Sequence, residues 1–353
     1  LGHMKPLKHE NKNKIVALMG CLVGPNTKNL REQFPQVDVF MRPQQYQPLL
    51  DIVGNRLDID PSGCVGPLTA SPAVTAYIPI IHGCNKMCSF CIIPYRRGRE
   101  VSRSIADIVH ETELLADRGV KEITLLGQNV DSYGQDLTAG VDLADLLESV
   151  HEIESIERIR FLTSHPNDMS DHIIETVAEL PKVCENINLP FQAGDDNVLT
   201  RMRRGYTNRE YRDKIAKIRE KIPGVSITTD LIVGFCGETD KQFEQTYNLV
   251  KDLRFDKVHS AMYSTRPGTI ASKKMEDNVP AETKRERLHI IDDLQTNIQG
   301  EINGHYLDET TEVLIEDVKR DTAYGRNRTD KLVYVDAVSY THLRAHETEA
   351  DLV

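Results

Sequence analysis

From about residue 75 onward, short apolar β-type runs alternate with amphipathic helical stretches, and this alternation constrains the fold more than any other feature of the chain. Strand patterns fall at 76–80, 122–126, 158–163, 186–190, 226–232 and 257–262. Helical patterns fall between them at 104–118, 143–153, 171–180, 209–221 and 241–253, and a last amphipathic stretch runs from 282 to about 300. Ile215, Ile218 and Ile222 repeat at helical spacing, and Gly119 and Pro181 stand just past two helices, where helices stop. Six strand–helix units in succession predict an α/β fold. The expected form is a partial (β/α)6 barrel, TIM-like but two units short, with its site at the C-terminal ends of the strands.

Those ends carry hydrogen-bonding groups. Gln128 and Asn129 follow the second strand, Ser164 and His165 the third, Gln192 the fourth, Gly234 and Glu238 the fifth, and Tyr263 and Ser264 the sixth. Any one of them is commonly a solvated loop residue. All together they are what a barrel-mouth site for a polar nucleoside requires.

The first strand is followed by Cys84, Cys88 and Cys91, spaced C-x3-C-x2-C and trailed by Ile-Ile-Pro-Tyr-Arg-Arg-Gly-Arg over 92–99. Three thiolates on one loop can hold three irons of a [4Fe–4S] cube and leave the fourth open to a small molecule. The competing reading is structural zinc, which takes four ligands and would have to recruit His82.

Before the barrel pattern, strands at 14–19 and 37–41 alternate with helices at 27–34 and 45–53, a fragment of a second α/β unit. Cys21 sits at the end of the first of these strands, where a lone cysteine is ordinarily a small buried hydrophobe. Residues 55–71 are polar and rich in Gly and Pro, as in a linker, and Cys64 within them reads as a free thiol. After 308 a strand at 311–318, a turn at Gly325 and a run holding Arg326, Arg328 and Lys331 predict a small β-domain with a basic turn. Residues 338–353 break the pattern and read as a non-native tail. No run approaches the 18 or so consecutive apolar residues of a membrane span, and seven cysteines gathered on loops suggest a reducing, cytoplasmic setting. A net charge of −11 argues against a chain wrapped in nucleic acid but not against a local basic site.

The cysteine spacing resembles the radical S-adenosylmethionine (SAM) superfamily, in which the open iron binds SAM and one electron splits it to give a 5′-deoxyadenosyl radical. Further matches lie at 76–103, 122–134 (with Leu-Leu-Gly-Gln-Asn-Val at 125–130), 163–166, 202–207, 229–238, 263–268 and 325–333. With these, residues 14–335 resemble the MiaB-type tRNA methylthiotransferases. Sister branches act on threonylcarbamoyl-adenosine in tRNA or on a ribosomal protein aspartate. An alternative of another class is a zinc-stabilised RNA-binding module without catalysis.

The resemblance implies a partial N-terminal methylthiotransferase domain at 1–56, a linker at 57–72, a radical SAM domain at 73–303, a partial TRAM β-barrel domain at 304–337 and the tail at 338–353. It implies Cys84, Cys88 and Cys91 as catalytic ligands of the SAM-binding [4Fe–4S] cluster. It implies Cys21 as a metal ligand of an auxiliary [4Fe–4S] cluster whose other ligands lie upstream in the family, so sulfur insertion is expected to fail in this chain while radical generation survives. SAM is expected against Gln128, Asn129, Ser164, Gln192 and Gly234. The implied reaction adds a methylthio group to C2 of N6-isopentenyladenosine beside the anticodon. The implied partners are the anticodon stem-loop of tRNA and a low-potential electron donor such as flavodoxin or ferredoxin, with no membrane. Arg96, Arg97, Arg99, Arg201, Arg203, Arg204, Arg326, Arg328 and Lys331 are expected to form a basic path for the RNA.

Overall fold

The structure is a computed structural model of the 353-residue chain and describes residues 14–20, 22–24, 26–42, 47–57, 73–319 and 322–336. Cys21, Cys64, most of the expected linker and the 338–353 tail lie outside the described residues. The described residues up to 57, with 83–86 and 92–99, make one compact unit, and 73–82, 87–91 and those from 100 onward make another.

In the first unit β1 (Ala17–Met19), α1 (Lys28–Gln33), β2 (Val39–Met41) and α2 (Gln47–Leu57) follow the expected alternation. The two strands pair in parallel, Leu18 opposite Phe40. Val16, Val23, Val37 and Phe40 close a small core, and the Asp38 carboxylate accepts from Val16 N–H at 2.8 Å. The same unit holds α3 (Ile93–Arg97), which the sequence pattern does not announce.

The second unit opens with β3 (Thr75–Pro79), and β4 (Ile81–His82) pairs antiparallel with β5 (Val101–Ser102) on either side of the cysteine loop. Then follow α4 (Ile105–Ala116), β6 (Glu122–Leu126), α5 (Leu143–His151), β7 (Arg158–Leu162), α6 (Asp171–Glu179) and β8 (Asn186–Asn188). Next come α7 (Asp196–Met202), α8 (Asn208–Lys221), β9 (Ser226–Val233), α9 (Asp240–Leu253), β10 (Lys257–Met262), α10 (Ile270–Lys274) and α11 (Ala281–Gly304). Side chains start these helices as local chemistry demands: Ser104 and Ser170 accept from the first turns of α4 and α6. Asp142, Thr207 and Thr239 form capping boxes on α5, α8 and α9.

The six barrel strands are parallel and adjacent in chain order, β3–β6–β7 in one sheet and β8–β9–β10 in the next. Hydrogen bonds from Cys184 N to Ile159 O (2.9 Å) and from Ser164 N to Asn188 O (3.1 Å) join the two sheets. The result is an open, curved six-stranded arrangement with helices outside, the partial barrel that the alternation predicts.

Side chains alternate along the strands. Ile123, Leu125, Ile159, Phe161, Ile227 and Leu231 enter one buried apolar core with Ile108, Leu147, Ile174, Ile215 and Val250 of the helices. The opposite face of β6 and β7 is polar and still buried: Glu122, Thr124, Arg158 and Arg160. Arg160 Nε lies 3.0 Å from Glu122 Oε1.

β11 (Val313–Lys319), β12 (Thr322–Asn327) and β13 (Leu332–Asp336) form an antiparallel sheet with β12 in the centre. Gly325, expected as a turn, lies inside β12 opposite Ile315 and Val333. A Cβ there would meet Leu314 O at 1.9 Å, so the glycine marks close backbone approach and not a reversal of the chain. The sheet is tied to the barrel strands: Arg158 Nη1 donates to Arg326 O (2.6 Å), and Arg160 donates to Arg328 O (2.9 Å) and Asn327 O (2.7 Å). Arg328 in turn holds Glu185 through two bonds of 2.7 and 2.8 Å.

Candidate active site

The C-terminal ends of the six strands lie along one edge, linked by backbone bonds: Ile80 N to Leu126 O, Gly127 N to Leu162 O, Gln192 N to Asp230 O and Tyr263 N to Val233 O. This edge is where a parallel barrel builds its site. Of the residues expected to touch SAM, Gln128, Asn129, Ser164 and Gly234 lie within three residues of these ends, and Gln192 lies four beyond β8.

Asn129 is 2 % exposed. Its Nδ2 donates to Asp168 at 2.6 Å, while its Oδ1 is buried without a hydrogen-bond partner. A buried acceptor left unmade costs roughly 1–3 kcal/mol, so it marks a position where a ligand's donor would be welcome. Gln128, beside it, is half-buried. Ser164 Oγ donates to Asp131 Oδ1 at 2.8 Å, and His165 N–H donates to Asp131 Oδ2 at 2.9 Å. Asp131 thus fixes the turn that carries Ser164. Burial pushes its carboxyl from 3.8 up to about 7, reinforced by Asp168 and opposed by the bonds from His165 and Ser164 and by Lys214.

Gln192 is held at φ 69°, in the left-handed region that a side-chain-bearing residue seldom occupies. Its backbone bonds on both sides to β9, at Asp230 O and Ile232 N. Gly234 follows β9 at φ +69°, and a Cβ there would strike Lys284 Cγ at 2.3 Å. Its N–H donates to Glu238 Oε2 at 2.6 Å, which is paired with Arg287 at 2.8 Å. Burial raises the Glu238 carboxyl, against the Gly234 N–H and Arg287.

The cysteines divide between the two units. Cys84 belongs to the first, where its N–H donates to Gly98 O at 3.2 Å. Gly83 precedes it at φ +77°, with Arg99 O only 2.0 Å from where a Cβ would stand. Cys88 and Cys91 belong to the second; Cys91 N–H donates to Cys88 O at 3.1 Å, and Cys88 is buried. Among the described residues no three Cys, His, Asp or Glu side chains converge closely enough to hold a metal ion.

A polar chain links Cys88 to the strand-end residues. Arg204 Nη1 donates to Cys88 Sγ at 3.4 Å and Arg204 Nε to Tyr206 Oη at 3.0 Å. The Tyr206 ring meets His165 edge-on at 5.9 Å, next to Ser164 and Asp131. Asp131, Asp168, Arg204 and Tyr206 are the residues that sequence reasoning did not single out for this site. Their signal was present, since all but Asp168 fall inside the stretches 122–134 and 202–207 that carry the family resemblance.

The expected basic path needs correction. Arg204 is buried against Cys88, Arg328 is bonded to Glu185, Lys331 lies 2.9 Å from Asp256, and Arg326 lies 3.3 Å from Glu316. These cations are committed to internal partners: carboxylates for Arg326, Arg328 and Lys331, and a sulfur for Arg204. Arg99 and Arg203 remain exposed.

The radical SAM superfamily model matches residues 78–250. The tRNA-2-methylthio-N(6)-dimethylallyladenosine synthase of Dehalococcoides mccartyi is 45% identical over 334 residues, which cover 95% of this chain and 78% of that protein. That of a Roseiflexus species is 46% identical over 339 residues, 95% of this chain and 71% of the relative. That of Chlorobium limicola is 40% identical over 348 residues, with 95% and 78% covered.

The chain belongs to the tRNA-2-methylthio-N(6)-dimethylallyladenosine synthase family.

Among solved structures, the cobalamin-dependent SAM radical enzyme OxsB, with aqua-cobalamin and SAM bound, aligns with a TM-score of 0.52 at 12% identity over 95% of this chain and 54% of that one, a likeness of fold alone. Family membership brings a [4Fe–4S] cluster and SAM as cofactors. In donor type, the residues present fit both. The cysteine loop supplies soft thiolate donors, one of them already facing a buried cation, and the mouth offers SAM the unpartnered Asn129 Oδ1. No helix among the described residues is long and apolar enough to cross a membrane.

Proposed function

We propose that this chain is a radical SAM tRNA methylthiotransferase of the kind that adds a methylthio group to C2 of N6-isopentenyladenosine beside the anticodon, with radical generation at its own barrel mouth and sulfur insertion dependent on the auxiliary cluster. The observation that carries the reading is identity of 40–46% over about 95% of the chain to relatives that share this one activity. In this reading Cys84, Cys88 and Cys91 hold the SAM-binding cluster, and Cys21 contributes to an auxiliary one. When bound, the cluster supplies the electron that opens SAM for attack on an otherwise inert C–H bond.

The protein's own part is to bind, orient and exclude water. Asn129 and Gln128 offer hydrogen-bonding groups to SAM, and Asp131 holds the Ser164 turn against it. The left-handed Gln192 offers its side-chain amide beyond the end of β8, and Gly234 continues the mouth at the end of β9. The anticodon stem-loop presents its adenine to this mouth, with the three-stranded sheet as part of the RNA-gripping domain. A low-potential donor such as flavodoxin or ferredoxin delivers electrons in the reducing cytoplasm.

Anaerobic reconstitution with iron and sulfide tests the assignment. A brown protein that bleaches on reduction and forms 5′-deoxyadenosine from SAM agrees with it. A colourless protein that keeps stoichiometric zinc and leaves SAM intact overturns it.

A further inference from the structure

We propose that Arg204 is a positioning residue for the iron-binding loop: its guanidinium donates a hydrogen bond to Cys88 Sγ and raises the reduction potential of iron held by that sulfur. The inference rests on the assignment of Cys88 as a cluster ligand.

Arg204 is 6 % exposed, and all three of its nitrogens are committed. Nη1 donates to Cys88 Sγ at 3.4 Å, Nη2 to Pro190 O at 2.8 Å and Nε to Tyr206 Oη at 3.0 Å. Tyr206 Oη donates in turn to Phe191 O at 2.8 Å, and the guanidinium carbon lies 5.4 Å from the Tyr206 ring centroid. The side chain is therefore seated on the end of β8 and aimed at the sulfur. Arg203 makes this possible. It adopts φ 60° as the left-handed cap of α7, which turns successive arginines in opposite senses, Arg203 out and Arg204 in.

The same turn grips the cysteine loop through its backbone. Ser89 N–H donates to Met202 O at 2.9 Å and Ser89 Oγ to Arg201 O at 2.7 Å. From the other side Ala271 N–H donates to Ser89 O at 2.8 Å. Ser89 is fully buried, so Cys88 and Arg204 are held in one rigid piece.

Charge supplies the second argument. A guanidinium keeps its proton even when buried, and a buried charge needs a counter-charge. Among the described residues no carboxylate forms an ion pair with Arg204. Tyr206 is no substitute, since burial raises its hydroxyl further above the usual range. Of the three acceptors around Arg204, only Cys88 Sγ would carry negative charge once it ligates iron, so iron ligation would give the guanidinium its counter-charge. A donor and a positive charge at a ligating sulfur favour the cluster state carrying one more electron, which makes reduction easier.

The test compares the wild-type chain with Arg204→Met, Arg204→Lys and Tyr206→Phe after anaerobic reconstitution, by iron content and by a redox titration of the reduced-cluster electron paramagnetic resonance signal. Arg204→Met is expected to hold as much iron as wild type and to titrate at a more negative potential. Arg204→Lys should keep more of the wild-type value, and Tyr206→Phe should fall between wild type and Met. An Arg204→Met chain with full iron and an unchanged potential overturns the proposal. If that variant folds but loads no iron, Tyr206→Phe decides: a lowered potential supports the role and an unchanged one refutes it. Failure of the underlying assignment looks different, because the wild-type chain itself would then bind no cluster.

Discussion

The Asp131 carboxyl lets the electrostatics of the barrel mouth be tested without any cofactor. Burial lifts it from 3.8 to about 7, with Asp168 adding to the rise. Between those two values the folded chain holds a proton that the unfolded chain has lost. The contribution of Asp131 to stability is therefore complete below 3.8 and is lost as pH rises through about 7. With about 1.36 kcal/mol for each pH unit of proton uptake, the loss between about pH 5 and about pH 7 is about 2 kcal/mol. Asp131→Asn removes the titration and keeps the shape: its Oδ1 can accept from His165 N–H, and its Nδ2 can donate to the Ser164 hydroxyl, which rotates to accept. Urea unfolding followed by circular dichroism, repeated across this pH range, gives the stability difference between the two chains. It should shrink by about 2 kcal/mol in favour of the variant from about pH 5 to about pH 7 and level off above. A difference that does not change with pH would refute the account of Asp131 as a buried, proton-holding clamp.

Gly234→Ala places a Cβ at φ +69° against Lys284 Cγ, and Lys284 is itself buried and paired with Asp277 at 2.5 Å. Left-handed backbone and overpacking together should destabilise the chain by about 2–4 kcal/mol in urea unfolding and weaken SAM binding measured by calorimetry. Glu122→Gln leaves the buried Arg158 and Arg160 short of their counter-charge and should cost about 3–5 kcal/mol by the same unfolding assay, with a smaller loss for Glu312→Gln at the exposed end of the network. Cys88→Ala should abolish 5′-deoxyadenosine formation from SAM while the far-ultraviolet circular dichroism stays native; normal yield from the variant would remove Cys88 from the ligand set.

The barrel was legible because strands and helices of different period alternate, and β6 and β10 lie at the very residues their apolar runs predict. The helix α7 was not, because its seven residues are too few for a period to show; only the Asp195 cap, accepting from Asn197 and Val198, marks its start. Gly325 misled because a glycine required by close approach in a central strand has the same letter as one required by a turn. The strand-end residues Asn129, Ser164, Gln192 and Gly234 were legible by position alone. The roles of Asp131 and Arg204 were not, since each acts through a partner distant in sequence, Ser164 and Cys88, and pairing of that kind appears only when the chain is folded. Arg204, Arg326, Arg328 and Lys331, four of the nine cations expected along the RNA path, have internal partners that the sequence hid for the same reason: Arg328 meets Glu185 across 143 residues.

The central claim is that the mouth of this barrel directs radical chemistry at C2 of an isopentenylated adenosine in tRNA. Its most direct test gives the reconstituted chain SAM, a strong reductant and tRNA whose N6-isopentenyladenosine carries deuterium at C2, and reads the mass of the 5′-deoxyadenosine formed. The account predicts 5′-deoxyadenosine that has gained a deuterium atom, with none gained when the tRNA lacks the isopentenyl group. Deoxyadenosine free of the label, formed at the same rate with or without the tRNA, would contradict it.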